Sequence, residues 1–166
     1  MTRLLGVDLG ERRIGIAVGD TDAGIAMPLT TLRRAGSPAE DAVALDRLVE
    51  EHDVDAIVVG LPLHANGDEG TQATSTRTWL EAVSASLTIP MVLRDERLTS
   101  HVAEQRLGPM KRGRSGGPPS RAQRDAYRAR VDREAAAIIL QDELDARRAL
   151  AASSTNVDDR TMETNR

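Results

Sequence analysis

The chain has 166 residues, 26 of them acidic and 22 of them lysine or arginine, with a formal net charge of −4. It has no cysteine, which excludes disulfide bonds and thiolate metal sites, and only one tryptophan and one tyrosine, too few aromatics for a base-stacking, single-strand-binding surface. No apolar run approaches the roughly 20 residues that span a bilayer, which predicts a soluble, cytoplasmic protein with no membrane partner.

The first third of the chain predicts three strands. Residues 3–8 and 13–19 are apolar runs joined by a short glycine-bearing connection, a pattern typical of a β-hairpin. Residues 25–32 predict a third strand, and we expect it at an edge of the sheet because Pro28 cannot donate a ladder hydrogen bond.

The remainder of the chain alternates predicted helices and strands. Ser37 and Pro38 predict the start of the first helix, as N-cap and first helical residue. Residues 55–60 form a continuous apolar run, typical of a strand buried on both faces. Further along, the sequence predicts a loop over 61–70, a helix over 71–87, a strand over 89–94, a short helix over 99–107 and a long helix over 121–150.

Two segments predict no regular structure. Residues 108–120 contain four glycines and three prolines, and we expect them to be irregular and mobile. Residues 151–166 have almost no apolar content, which predicts a disordered C-terminal tail. The order of the elements predicts an α/β fold, with one domain over residues 1–150 and a mixed five-stranded sheet flanked by helices.

Two predicted strands end in carboxylates. Asp8 closes the first apolar run just before a glycine turn, where an acid is costly unless it is paired or binds a cation; capping of the turn explains it equally well. Asp95 and Glu96 both follow the fifth strand, and strand alternation does not choose between them. An ion pair of Glu96 with Arg97 is the structural alternative.

A third carboxylate lies on the long helix. At 100° per residue, Asp132 falls on the side of Ala136 and Ile139, among residues expected in the core. Glu134 falls on a polar stripe and is expected to be solvated. An acid on an apolar helix face needs a partner, so Asp132 is a candidate functional residue.

Carboxylates at two strand ends and on one helix face would suit a hard divalent cation. Mg²⁺ prefers oxygen ligands, Mn²⁺ accepts them too, and two such ions can clamp the attacking water and the leaving oxygen of a phosphodiester. The three histidines have no metal-ligand spacing, and the sequence contains no phosphate-binding glycine-rich motif ending in Lys-Ser or Lys-Thr. Metal-dependent hydrolysis of a phosphodiester is therefore the chemistry that these residues favour.

Positive charge is concentrated in one segment. Between residues 106 and 133, nine basic residues face two acidic ones, a net charge of +7 in an otherwise acidic chain. The pattern is typical of an arm that contacts phosphates, although a solvated helix face together with an irregular loop would have the same composition. The nine residues are Arg106, Lys111, Arg112, Arg114, Arg121, Arg124, Arg128, Arg130 and Arg133.

Four motifs in order resemble one known family. They are Gly6-Val7-Asp8-Leu9-Gly10 with Arg13-Ile14-Gly15; Val58-Val59-Gly60-Leu61-Pro62-Leu63 with Gly67-Asp68-Glu69-Gly70; Asp95-Glu96-Arg97-Leu98-Thr99-Ser100; and Val131-Asp132 with Ala135-Ala136 and Ile138-Ile139-Leu140-Gln141. From about Leu4 to Leu144 the chain resembles the YqgF/RuvX family of pre-16S ribosomal RNA nucleases, also described as Holliday junction resolvases. It departs from the family at His64-Ala65 and at Arg133-Glu134, positions that bear on substrate contacts.

The resemblance implies a ribonuclease H-like fold, and it implies that Asp8, Glu96 and Asp132 form the catalytic metal site. The implied substrate is the 5′ end of the pre-16S rRNA or a four-way DNA junction. Symmetric cutting of a junction would need a homodimer, whereas trimming one RNA end would not. Arg12, Arg13 and Arg97 are candidate nucleic-acid contacts, for which surface ion pairs are the alternative. The candidates within the basic segment are Lys111, Arg112, Arg114, Arg124 and Arg128.

Two other functions are compatible with the sequence. A phosphotransferase of the actin and sugar-kinase type also opens with a strand, an acidic glycine turn and a hairpin, but it needs two such domains. A non-catalytic nucleic-acid or ribosome-assembly binding module could use the same fold, although a binder does not require buried carboxylates.

Overall fold

The computed structural model describes residues 1–97 and 99–162 and contains five strands and four helices within them. The α/β class and the mixed five-stranded sheet flanked by helices are confirmed. In chain order the elements are β1 (Arg3–Leu9), β2 (Arg13–Asp20), β3 (Ala26–Arg33), α1 (Pro38–Glu51), β4 (Ala56–Pro62), α2 (Thr71–Ser84), β5 (Met91–Glu96), α3 (Thr99–Leu107) and α4 (Arg121–Met162).

The strands are ordered β3-β2-β1-β4-β5 across the sheet. β1, β2 and β3 form an antiparallel meander, and β4 and β5 extend it in parallel with β1. The predicted edge position of β3 is confirmed. Beside Pro28 the register shifts, so that Ile16 pairs with Thr30 while Ala17 pairs with Pro28. The extra residue forms a bulge, as is common at sheet edges.

Each face of the sheet carries its own layer of helices. Leu5 on one face packs in a core with Leu45 of α1 and Trp79 of α2. Leu4, its neighbour in sequence, points to the other face and packs in a core with Leu140 of α4. Helix α1 starts at the predicted N-cap, where the Ser37 side chain accepts a hydrogen bond from the Glu40 backbone N–H.

Glycines let α4 approach the sheet closely. A Cβ atom placed on Gly6 would lie 2.7 Å from the carbonyl oxygen of Ala136, and one on Gly15 would overlap the carbonyl oxygen of Asp132. Such contacts leave no room for any side chain on β1 or β2 at these points. The position of Asp132 over the sheet therefore depends on the glycine at position 15.

Several element boundaries differ from those predicted. β4 continues to Pro62, into the predicted loop, because its pairing with β5 extends to Pro62 and Glu96 and the Leu63 N–H donates to the Glu96 carbonyl. β5 itself ends at Glu96, two residues beyond the predicted Arg94, and α2 ends at Ser84, before the predicted Leu87.

The C-terminal segment differs from the predicted disordered tail. α4 continues past Leu150 to Met162, and its exposed hydroxyls bond to carbonyls one turn earlier, as in Ser153 to Ala149. Low apolar content argues against burial of this segment but not against helix formation, which alanine favours without burial. Residues 163–166 lie outside the described residues. Neither the 42-residue α4 nor any other helix within the described ranges is apolar enough over sufficient length to cross a membrane.

We expect Gly15→Ala to destabilise the protein by roughly 2–3 kcal/mol, because the added methyl group overpacks the contact between β2 and the α4 backbone. Chemical denaturation measures the free energy of unfolding. Gly117→Ala is the matched control, since a Cβ there meets only the Ser115 hydroxyl, at 3.7 Å. Equal stability of the two variants would show that α4 does not depend on the glycine contact.

Candidate active site

Asp8 lies near the end of β1 on the face that α4 covers. It shares this face with Leu4 and Gly6 through strand alternation, and it pairs in register with Gly15 of β2. Because Gly15 also contacts the Asp132 backbone, the two acids are brought to the same point. The pKa of Asp8 is raised to about 7, mainly by burial and then by the negative charges of Asp132 and Glu96. Asp132 and Glu96 therefore both lie close enough to Asp8 for their charges to affect it.

The alternation of β5, which the sequence left open, is determined by contacts with the helices. Val92 packs against the α4 core, and the Arg94 guanidinium donates to Glu143 of α4 at 3.1 Å. Glu96 has the same parity and is 9% exposed, whereas Asp95 is exposed on the opposite side. The structure therefore places Glu96, and not Asp95, on the face that carries Asp8.

The Glu96 carboxylate is only partly satisfied. Oε2 accepts the Thr99 hydroxyl at 2.7 Å, while Oε1 is buried and has no hydrogen-bond partner. Burial raises the pKa of Glu96 to about 7; the bond from Thr99 acts in the opposite direction, and the nearby Asp142 raises it further. The alternative ion pair with Arg97 does not form, since no ion pair of Glu96 within 4 Å occurs in the part of the chain that the structure describes.

Asp132 is bound by an arginine from the predicted set of substrate contacts. The Arg13 Nε atom lies 2.6 Å from Oδ2 of Asp132, and both side chains are half-buried. For Arg13 the structure thus shows the ion pair that was the alternative to a phosphate contact. The position of Asp132 on the apolar face of α4 predicted that its carboxylate has a partner. In this structure that partner is the guanidinium group of Arg13, the first residue of β2.

The donor atoms suit a hard divalent cation in chemistry and charge. Glu96 holds a buried oxygen without a partner, and both Asp8 and Glu96 have pKa values raised to about 7, the effect that a bound cation would reverse. Within residues 1–97 and 99–162, however, no three acidic, histidine or cysteine side chains lie close enough to form a ready coordination sphere. Arg13 already binds one oxygen of Asp132.

Arginines gather in a cleft beside these acids. The cleft has a volume of about 510 Å³ and lies between the β1–β2 turn, the end of β3 and the first turns of α4. Glu11 and Asp125 also line it. An adjoining cleft of about 380 Å³ shares Arg12 and Arg13 and adds Arg128. The first cleft, hereafter the arginine cleft, is lined by Arg12, Arg13, Arg33, Arg34 and Arg121.

Arg34 is fixed in this cleft by a buried network. Its Nε donates at 3.0 Å to Asp41, which is 1% exposed, and its Nη1 donates at 3.1 Å to the carbonyl of Gly10. Asp41 also accepts the Trp79 indole N–H at 3.0 Å and the Ala35 backbone N–H at 2.8 Å. The network joins α1 and α2 to the turn that follows Asp8.

The other predicted contact residues lie apart from the arginine cleft. Arg97 is exposed and packs against Gly67 of the loop after β4. Arg124 donates to the Pro119 carbonyl at 2.7 Å and so holds the irregular segment against α4. The remaining three, Lys111, Arg112 and Arg114, are exposed on that segment.

Sequence reasoning missed Arg33 and Arg34 as candidate contacts. Their signal was present as two consecutive arginines directly after the predicted third strand. Arg121 was counted in the basic segment but not among the candidate contacts. Thr99, the hydroxyl donor to Glu96, was likewise not anticipated.

Comparison with known proteins gives consistent matches. The profile of the RuvX family, described as Holliday junction resolvase, matches residues 2–146. A Chloroflexus aurantiacus protein named "Putative pre-16S rRNA nuclease" is 45% identical over 146 residues, covering 87% of this chain and 88% of that one. An Anaeromyxobacter dehalogenans protein of the same name is 44% identical, covering 87% and 98%. The structure of T. thermophilus RuvC in complex with Holliday junction substrate gives a TM-score of 0.48 at 16% identity, covering 89% and 96%.

The raised pKa of Asp8 predicts a pH-dependent stability in chelator. A carboxyl whose pKa is higher in the folded than in the unfolded chain favours folding below its unfolded pKa of about 4, and this contribution is lost as pH rises through 7. We therefore expect Asp8→Asn to gain stability relative to wild type between about pH 5 and 8, by on the order of 2–4 kcal/mol. Denaturation at several pH values measures this difference.

Asp46→Asn, which removes an exposed carboxylate from α1, is the control and should follow the wild-type pH dependence. A constant stability difference between Asp8→Asn and wild type across this range would contradict the raised pKa of Asp8.

Proposed function

The chain belongs to the RuvX family, as its sequence motifs indicated, and on that premise we propose that it is a metal-dependent endonuclease that hydrolyses phosphodiester bonds of structured nucleic acid. The main support for this proposal is that Asp8, Glu96 and Asp132 lie near one another on the α4 face of the sheet. Glu96 there has a buried carboxylate oxygen with no hydrogen-bond partner. The relatives' names offer two substrates, the pre-16S rRNA and the Holliday junction. Processing of either would be cytoplasmic.

We assign the three carboxylates as ligands of Mg²⁺ or Mn²⁺, the ions that oxygen donors suit. Such an ion supplies an activated water and charge stabilisation for the phosphodiester. Asp8, held by β1 and close enough to both other acids for their charges to raise its pKa, is the central ligand in this assignment. Thr99 orients Glu96 by its hydrogen bond to Oε2, which leaves Oε1 available as a donor atom.

The basic residues would bind the substrate backbone. Arg12, Arg13 and Arg128 line the clefts next to the acids and are proposed to contact phosphates near the cleaved bond. The irregular segment and its neighbours, with Arg97, Lys111, Arg112, Arg114 and Arg124, are proposed as further contacts that position the substrate without reading its sequence. Symmetric cutting of a four-way junction would in addition require two copies related by a two-fold axis.

One observation favours a second candidate, a non-catalytic binding module on the same fold. The ion pair with Arg13 neutralises Asp132, and a protein that only binds would have no reason to break this pair. Cleavage separates the two candidates, because both bind nucleic acid and only the nuclease hydrolyses it.

We expect Asp132→Asn to abolish cleavage, because the amide removes an anionic metal ligand at nearly constant shape; a loss of at least about 100-fold is expected. Labelled pre-16S rRNA 5′ fragment and synthetic four-way DNA junction are incubated with Mg²⁺, with Mn²⁺ or with chelator. Asp46→Asn is the matched control on the opposite helical layer and should cleave normally. Binding of either substrate without cleavage by wild type in any metal would favour the binding module.

Arg13→Gln removes the ion pair with Asp132 and leaves all three proposed metal ligands in place. With Asp132 released, we expect the midpoint of Mn²⁺ stabilisation in a thermal-shift titration to fall several-fold, while substrate cleavage weakens because a phosphate contact is lost. Arg12→Gln, which removes a neighbouring arginine without touching Asp132, should leave the Mn²⁺ midpoint unchanged. An unchanged midpoint for Arg13→Gln would show that Asp132 does not bind the ion.

A further inference from the structure

We propose that the arginine cleft binds the phosphodiester backbone of the substrate strand beside the cleaved bond, and that Arg33 and Arg121 on its outer walls are substrate-binding residues; this inference rests on the proposed nuclease function. It assigns to the end of β3 a role in binding that the basic segment alone would not provide. The strand would then cross the protein on its β3 side.

The walls of the cleft are held together in the folded chain. The Thr31 hydroxyl of β3 donates at 2.6 Å to the Ala129 carbonyl of α4. The backbone N–H of Arg34 donates at 2.8 Å to the Arg12 backbone carbonyl, and this bond ties the residue after β3 to the β1–β2 turn. A cleft whose backbone walls are fixed in this way loses little backbone freedom when a ligand enters.

Some arginines of the cleft are paired with buried or half-buried carboxylates, and others are exposed to solvent. Arg13 and Arg34 are paired with Asp132 and Asp41 behind the surface. Arg33 is exposed, and in the described part of the chain it has no acidic partner within 4 Å. Arg121 is exposed beside Asp125, at 3.9 Å, a distance at which an exposed pair contributes little. Both can therefore accept a phosphate without breaking a buried ion pair.

The chemistry of the lining selects the backbone and not the bases. The residues around the cleft include five arginines and no aromatic side chain, so base stacking has no platform there. The cleft of about 510 Å³ and the adjoining one of about 380 Å³ share Arg12 and Arg13 in their walls. Two neighbouring arginine-lined clefts of this kind suit successive phosphates of one strand, contacted without regard to sequence.

Binding is measured in chelator, where cleavage is suppressed, by fluorescence anisotropy of the labelled RNA fragment and DNA junction at several salt concentrations. Arg33→Ala and Arg121→Ala should each weaken binding by about five-fold and lower the slope of log affinity against log salt by roughly one. The double variant should lower the slope by roughly two. Arg47→Ala, an exposed arginine of α1 on the other face, is the charge-matched control and should bind as wild type does.

A kinetic readout separates binding from chemistry. Since the proposed contacts are made to phosphates flanking the cleaved bond and not to the reacting phosphate itself, Arg33→Ala should raise KM and leave kcat near wild type. Melting temperatures check that the exposed substitutions leave the fold intact.

Wild-type affinity and salt slope in the double variant would overturn the inference, and a loss confined to Arg112→Ala and Arg114→Ala would assign backbone binding to the irregular segment instead. If wild type binds and cleaves while the double variant is unaffected, only this inference fails. If wild type binds neither nucleic acid, the proposed function fails with it.

Discussion

The distance between α4 and the sheet determines where the acidic residues stand. Asp8 belongs to a strand and Asp132 to a helix more than a hundred residues later, and they meet because Gly6 and Gly15 allow the helix backbone to rest on β1 and β2. Gly60 of β4 leaves room for the Ile139 side chain of α4, which would overlap a Cβ at that position. Larger residues at these positions would displace the acids without altering any of them.

Gathering three carboxylates in a partly buried place is unfavourable, and the structure offsets this cost with local partners. Arg13 pairs with Asp132, and Thr99 donates a hydrogen bond to Glu96. For Asp8 the cost appears as a raised pKa, because burial and the neighbouring charges disfavour its ionised form. In contrast, Asp41 is more deeply buried and accepts hydrogen bonds from three donors, those of Arg34, Ala35 and Trp79, as expected of a carboxylate with a structural role. The structural carboxylate of Asp41 and the three clustered carboxylates therefore differ less in burial than in how many hydrogen-bond donors their oxygens have.

Much of this architecture could be predicted from local sequence patterns, and what could not depends on distant contacts. Apolar runs located the strands, and helical periodicity placed Asp132 on the covered face of α4. Strand alternation did not choose between Asp95 and Glu96; the family resemblance implied Glu96, and the contacts of Val92 and Arg94 with α4, which no local pattern contains, agree with it. The arginine cleft was missed for the same reason, since the end of β3 and the start of α4 are far apart in sequence. The helical C-terminal segment was missed because apolar content reports burial, while alanine and backbone hydrogen bonds suffice for helix.

The position of Trp79 gives the molecule an intrinsic optical indicator. It is the chain's single tryptophan, and its indole donates to the buried carboxylate that also holds Arg34 at the arginine cleft. All tryptophan emission therefore originates one side chain away from that guanidinium. A polyanion bound at Arg33 and Arg121 would bring negative charge close to this Arg34–Asp41–Trp79 network without breaking it, and the changed electric field at the indole would shift the emission spectrum. Occupancy of the cleft can thus be followed in the unmodified protein, with no dye attached.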